Sequence, residues 1–256
     1  MNDEEEPRHL PEEPSGQPAL PPPPERDPFW GYSDLLMFAG LAVPCMLLGF
    51  GLVKGIMALF RVHTPLRAAE LLAAEFTGYA LLFLVLRIML QMQYGRPFWQ
   101  SLGWKPAKLS IPILVLFGVG TSFLIAALGT LIRTPQTDNL MMELLKDRRS
   151  MILLAVFGVT AGPVAEELIF RGFLQPLLVR SLGVSLGILT SALPFGLLHY
   201  QEYGNSWRHV LLISLAGAMF GVVRQTTGST KASAIMHSAY NSVIFAAVLA
   251  QRGLPQ

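Results

Sequence analysis

The sequence predicts an all-α fold, a polytopic transmembrane bundle of seven or eight membrane segments, and three observations carry that prediction. Of 256 residues, 52% are hydrophobic and only 14% are charged, giving a mean hydropathy of +0.47. Apolar runs of about 20 residues, enough to cross a hydrocarbon core of about 30 Å, recur along the chain. Three of the few charges inside those runs, Glu166, Glu167 and Arg171, fall within six residues, and a charge in hydrocarbon costs about 2.5–3.5 kcal/mol on insertion scales, so that cluster needs a purpose. One cysteine, Cys45, sits inside an apolar run, which excludes a disulfide framework and a cysteine-based metal site.

Residues 1–28 hold eight of the seventeen acids but two of the nineteen basic residues, together with the run Pro21 to Pro24. This composition predicts a disordered, acidic, proline-rich tail without the basic start and apolar centre of a signal peptide. Residues 29–256 form the membrane domain. Its basic balance suits anionic lipid headgroups, and no basic-aromatic pattern points to nucleic acid.

Phe29-Trp30-Gly31-Tyr32 marks a membrane interface before the first apolar run, Leu35 to Phe60. The second runs from Leu71 to Leu90 and carries Glu75, read as a packing or snorkelling residue; the third runs from Ile111 to Ile132. Thr134 to Ser150 alternates polar and apolar residues as an amphipathic interfacial helix does. The fourth run begins at Met151, breaks at Gly162-Pro163 and resumes to Leu178. Val184 to Tyr200, His209 to Val223 and Ala232 to Ala250 complete the set. The glycine pairs Gly51/Gly55, Gly183/Gly187 and Gly217/Gly221 predict close helix packing. Basic residues flank the spans eight on the N-terminal side and nine on the other, so charge does not orient the chain. The expectation is a multi-pass protein of the plasma (inner) membrane.

Glu166, Glu167 and Arg171 interrupt the fourth run. Glu167 and Arg171 stand at i and i+4 with the acid first, the favoured order for a pair on one helix face. Glu166 has no basic residue three or four positions away, and an unpaired carboxylate in apolar surroundings is a candidate general base. Three more polar groups lie in later spans: His199, one turn after Phe195, and His237 with Asn241 at i and i+4. A carboxylate, two imidazoles and a carboxamide supply what amide hydrolysis needs. Glu166 takes a proton from water, His199 holds or polarises that water, and His237 with Asn241 donates to a developing oxyanion. No cofactor is required for this. Glu166, His199 and His237 are also ligand types for catalytic zinc, although no His-Glu-x-x-His helix occurs. A different class, a membrane scaffold, an immunity-type binder or a transporter, would use the same groups to bind a partner or ion. A transporter should repeat its broken helices, whereas Gly162-Pro163 has no counterpart.

Glu166-Glu167-x-x-x-Arg171, Phe195-x-x-x-His199 and His237-x-x-x-Asn241, in that order on successive segments, resemble the CPBP family of intramembrane proteases, the CAAX prenyl-endopeptidase and bacteriocin-processing (ABI) group. The resemblance covers about residues 151–245. It implies a helical bundle with a conical cavity, Glu166 as general base, His199 as its water-positioning partner and His237 with Asn241 as the oxyanion hole. It further implies Glu167 and Arg171 as a supporting pair, a peptide or membrane-protein substrate that in eukaryotic members is prenylated, and a mechanism described both with and without a metal.

Overall fold

The structure is a computed structural model and describes residues 27–62, 64, 66–135 and 140–251. All but the last two residues of the tail expected over 1–28 lie outside the described residues.

Every regular element among the described residues is helical. In order these are α1 (Tyr32–Leu59), α2 (Arg67–Tyr94), α3 (Phe98–Ser101), α4 (Ile111–Leu131), α5 (Leu140–Leu144), α6 (Arg148–Val159), α7 (Ala161–Glu167), a π-helical segment (Leu168–Leu174), α8 (Gln175–Leu182), α9 (Val184–Leu198), α10 (Trp207–Thr227) and α11 (Thr230–Gln251). Six helices, with α6 to α8 counted as one, are long and apolar enough to cross a membrane, and α9 is a shorter apolar one. This is an integral membrane protein whose spans agree with the seven-segment reading.

Contacts between helix ends fix the alternation of those spans. On one face, Tyr94 at the end of α2 donates to Asp34 at 2.6 Å, Arg180 of α8 donates to the carbonyl of Pro28, and Thr230 N–H at the start of α11 donates to the Gly103 carbonyl at 2.9 Å. On the other face, Arg208 before the first turn of α10 closes donates to the Arg133 carbonyl just past α4 at 2.8 Å. Helix ends carry the expected punctuation: Gly95 and Gly228 stop α2 and α10 in the left-handed conformation.

Three sequence expectations are corrected here. The amphipathic stretch 134–150 is not one helix. Residues 136–139 lie outside the described residues, α5 is short, and the Asp147 carboxylate starts α6 afresh by accepting the Ser150 N–H at 2.7 Å. That bond also holds the Asp147 carboxyl below its ordinary pKa. The break expected at Gly162-Pro163 falls instead at Thr160 (φ −120°, ψ −83°), and Pro163 sits within the first turn of α7. A proline there removes no intrahelical bond of its own; its ring excludes the preceding turn, so the helix breaks upstream. Finally, Gly51 and Gly55 face open space, as does Gly183. The close approach of α1 to α2 rests on Gly49 and Gly78, where a Cβ on Gly49 would stand 2.5 Å from the Gly78 nitrogen.

Candidate active site

The π-helical segment directly after Glu167 is the local feature on which the site is built. The Gln175 N–H bonds five residues back to the Phe170 carbonyl, and within the same segment the Phe173 carbonyl accepts from Trp30 Nε1 at 3.1 Å. Such widened turns concentrate at functional sites because they re-aim side chains within one helix. Here the turn directs Arg171 and Gln175 to α10, where they donate to the carbonyls of Gly217 at 2.6 Å and Gly221 at 2.9 Å. Both glycines of the predicted pair are required: a Cβ on Gly217 would stand 2.7 Å from Arg171 Nη2 and from the Phe195 ring, and one on Gly221 2.8 Å from Gln175 Oε1. Together the two rungs bring α10 against the helix that carries the acids.

Arg171 and Glu167 are 1% and 0% exposed at their side chains and form the predicted ion pair, Nη1 to Oε1 at 3.0 Å. A buried cation must be compensated on every side. The Arg171 guanidinium also lies 4.4 Å above the Phe195 ring, with Phe220 and Phe170 at 5.5 and 5.8 Å. Phe195 thus belongs to the charge cage as much as to its own helix.

The same Glu167 oxygen meets His237 Nδ1 at 3.1 Å. A carboxylate paired with a guanidinium accepts, so Nδ1 carries the hydrogen. The His237 ring is stacked on Phe220 at 4.5 Å and meets Phe195 edge-on at 5.8 Å, which fixes its plane. Its Nε2 then faces Glu166 Oε2 at 3.7 Å. The other Glu166 oxygen faces His199 Nε2 at 3.9 Å, while His199 Nδ1 lies 2.8 Å from the Phe195 carbonyl and must donate to it. The structure therefore brings Glu166, His199 and His237 together from three separate helices or their ends. Glu166 and His199 are about one-fifth exposed and His237 is buried at 4%. Both Glu166 distances exceed a direct hydrogen bond and lie within the about 5.6 Å that a bridging water spans.

Asn241 lies one turn beyond His237, but its amide Nδ2 donates to the Gly158 carbonyl at 2.7 Å. One of its two amide hydrogens is therefore engaged in holding α11 to the end of α6. Among the described residues, no group of three or more His, Cys, Asp and Glu side chains is gathered closely enough to hold a metal ion.

Sequence reasoning missed part of the surroundings. Glu75, read as a packing residue, is bonded to Tyr79 and lies close enough to Glu166, Glu202 and His199 to feel their charges. Glu202, in the loop after α9, has its pKa raised by burial and by the charge of Glu166, with His199 opposing. Neighbouring Tyr203 is likewise pushed up, chiefly by burial. A polar residue in a loop stands out from nothing, so Glu202 gave no signal. Glu75 gave the same signal as Glu166, a lone acid in an apolar run, without the flanking pattern.

Comparison with curated proteins and with solved structures gives no match. Residues 148–243, which contribute Glu166, Glu167, Arg171, Phe195, His199, His237 and Asn241, match the family model described as type II CAAX prenyl endopeptidase Rce1-like, so the likeness carried by these motifs holds over the stretch that builds the site.

Proposed function

We propose that this protein is an intramembrane endopeptidase that hydrolyses a peptide bond near the membrane, in the C-terminal tail of a CAAX-like, prenylated or otherwise membrane-associated protein. The observation that carries the reading is the convergence of two imidazole Nε2 atoms on the two oxygens of one partly exposed carboxylate, at 3.7 and 3.9 Å. The match of residues 148–243 to a prenyl-endopeptidase family supports the substrate class.

In the resulting mechanism Glu166 removes a proton from the water held between it and His199. With its Nδ1 hydrogen given to the Phe195 carbonyl, neutral His199 presents a lone pair at Nε2, which accepts the water's other hydrogen and aims the oxygen. The water oxygen attacks the scissile carbonyl carbon. His237, in its protonated form, donates from Nδ1 to Glu167 and from Nε2 to the oxyanion, and Asn241 donates its remaining amide hydrogen. Collapse breaks the C–N bond, and the proton held by Glu166 passes to the leaving amine.

A zinc-dependent version is the second reading, favoured by one observation: both imidazoles direct Nδ1 to an oxygen acceptor and Nε2 toward Glu166, the arrangement that orients metal-binding histidines. Glu166, His199 and His237 would have to draw closer together to hold the ion, which would supply Lewis acidity to the water. Their 3.7 and 3.9 Å separations are wider than the edge of about 3.4 Å that zinc–ligand bonds of 2.0–2.1 Å imply for a tetrahedron.

The test is cleavage of a fluorescent farnesylated tail peptide by purified protein in detergent, with and without chelator. Glu166→Gln and His199→Ala should each lower kcat/KM by about 10²–10⁴-fold while the protein elutes and melts as wild type. Cleavage by both variants at the wild-type rate would sink the proteolytic reading, and loss of wild-type cleavage in chelator, restored by zinc, would select the metal version.

A further inference from the structure

A groove of about 570 Å³ runs along α11, and neither Glu166 nor His199 nor His237 lines it. Val164 of α7, Val115 and Val119 of α4, and a row of small residues on α11 line it. The small residues make the trough: Ala234, Ser238, Ser242 and Ala246 follow one another at four-residue steps down the helix, so each turn presents a shallow side chain between the bulkier flanks.

At its upper end the groove is closed by Trp104 and Lys231. The start of α11 rests on the 102–105 turn through Thr230 N–H to the Gly103 carbonyl at 2.9 Å and Thr230 Oγ1 to the Leu102 carbonyl at 2.6 Å. Lys231 and Lys105 therefore share one end, and both are exposed. From Lys231 to Ala246 is fifteen residues, about 22 Å at 1.5 Å each, which is the depth of one leaflet and part of the next.

We propose that this groove is a binding site for an anionic phospholipid of the bilayer, an acyl chain lying along α11 and the phosphate headgroup held by Lys231 and Lys105. Charge complementarity chooses this occupant, since two exposed ammonium groups and an indole stand where a headgroup meets hydrocarbon, above a purely apolar or hydroxyl-bearing trough. The substrate's own lipid is disfavoured by position. Val164 and Glu166 are two residues apart on one helix and so project about 200° from each other, which places the groove and the carboxylate on opposite sides of α7. The inference does not depend on the proteolytic reading.

Trp104 supplies the readout. The protein is reconstituted into phosphatidylcholine vesicles containing a small fraction of either phosphatidylglycerol or phosphatidylcholine brominated on an acyl chain. The signal of Trp104 among the four tryptophans is isolated by difference with Trp104→Phe. Brominated phosphatidylglycerol should quench Trp104 at a concentration several-fold lower than brominated phosphatidylcholine, and Lys231→Gln should reduce that preference by about fivefold. Ser242→Phe, which fills the trough without touching the lysines, should weaken quenching by both lipids, and wild-type elution and melting of either variant in detergent serve as the folding control. Equal quenching by the two lipids in the wild type, a preference that survives Lys231→Gln together with Lys105→Gln, or displacement of the lipid by an equimolar farnesylated peptide would each overturn the proposal.

Discussion

Glu167 Oε1 meets two cationic or ionisable groups at once, pairing with Arg171 Nη1 at 3.0 Å and accepting from His237 Nδ1 at 3.1 Å, and so ties the buried ion pair to the His237 ring. Removing that charge strands a guanidinium that is 1% exposed. Glu167→Gln should therefore cost about 3–5 kcal/mol in reversible unfolding in mixed micelles. The double variant Glu167→Gln/Arg171→Met should lose less than the sum of the singles, because the second change removes the stranded charge. Additive losses would mean that the two side chains act independently. This pair was legible in the sequence because a helix's own periodicity supplies the partner. The meeting of Glu166 with His199 and His237 was legible for a different reason: each is polar in an apolar run, and hydrocarbon leaves such groups few destinations. What one helix's numbering cannot disclose is a bond to another helix's backbone, and the engagement of Asn241 with the Gly158 carbonyl is of that kind.

At the scale of the element, four-residue glycine spacing identified faces without saying what lies opposite them. Gly217 and Gly221 admit Arg171 and Gln175 to the α10 backbone, whereas Gly51 and Gly55 meet nothing within 4 Å. Gly217→Ala should accordingly destabilise the protein by about 1–3 kcal/mol and impair cleavage, since its methyl group competes for the space of Arg171 and Phe195. Gly51→Ala should be neutral or slightly stabilising, since alanine has the better helix propensity and the site is open. Parallel unfolding curves for the two variants distinguish contact from spacing; equal destabilisation would refute the assignment of faces. The Thr160 break and the π-helical segment were displaced or absent in the sequence reading because both depend on strain and tertiary bonds rather than on residue type alone.

Across the whole molecule, the lengths of the spans are unequal in a way that matters. α9 has fifteen residues, about 22 Å against a hydrocarbon thickness of about 30 Å. His199 caps its end, and the chain then continues through Gln201 to Ser206 before α10 begins. A polar loop at that depth must be wetted from the membrane face on which α10 starts. A cysteine at exposed position 201 should react with a membrane-impermeant maleimide from one side of sealed vesicles only, the side on which α10 starts. Cys45 is 7% exposed and should stay silent. Labelling from the opposite side would reverse the assigned alternation. The widened turn after Glu167 bears on the same architecture. Rewinding Leu168–Leu174 as ordinary helix with no residue removed would swing everything downstream by roughly a quarter of a revolution, because the widened turn absorbs one residue more than an α turn does. Arg171 and Gln175 would lose the two carbonyls they now grip, and the acids would be parted from their histidines. In this chain the irregular winding is the setting that keeps two otherwise regular helices in phase.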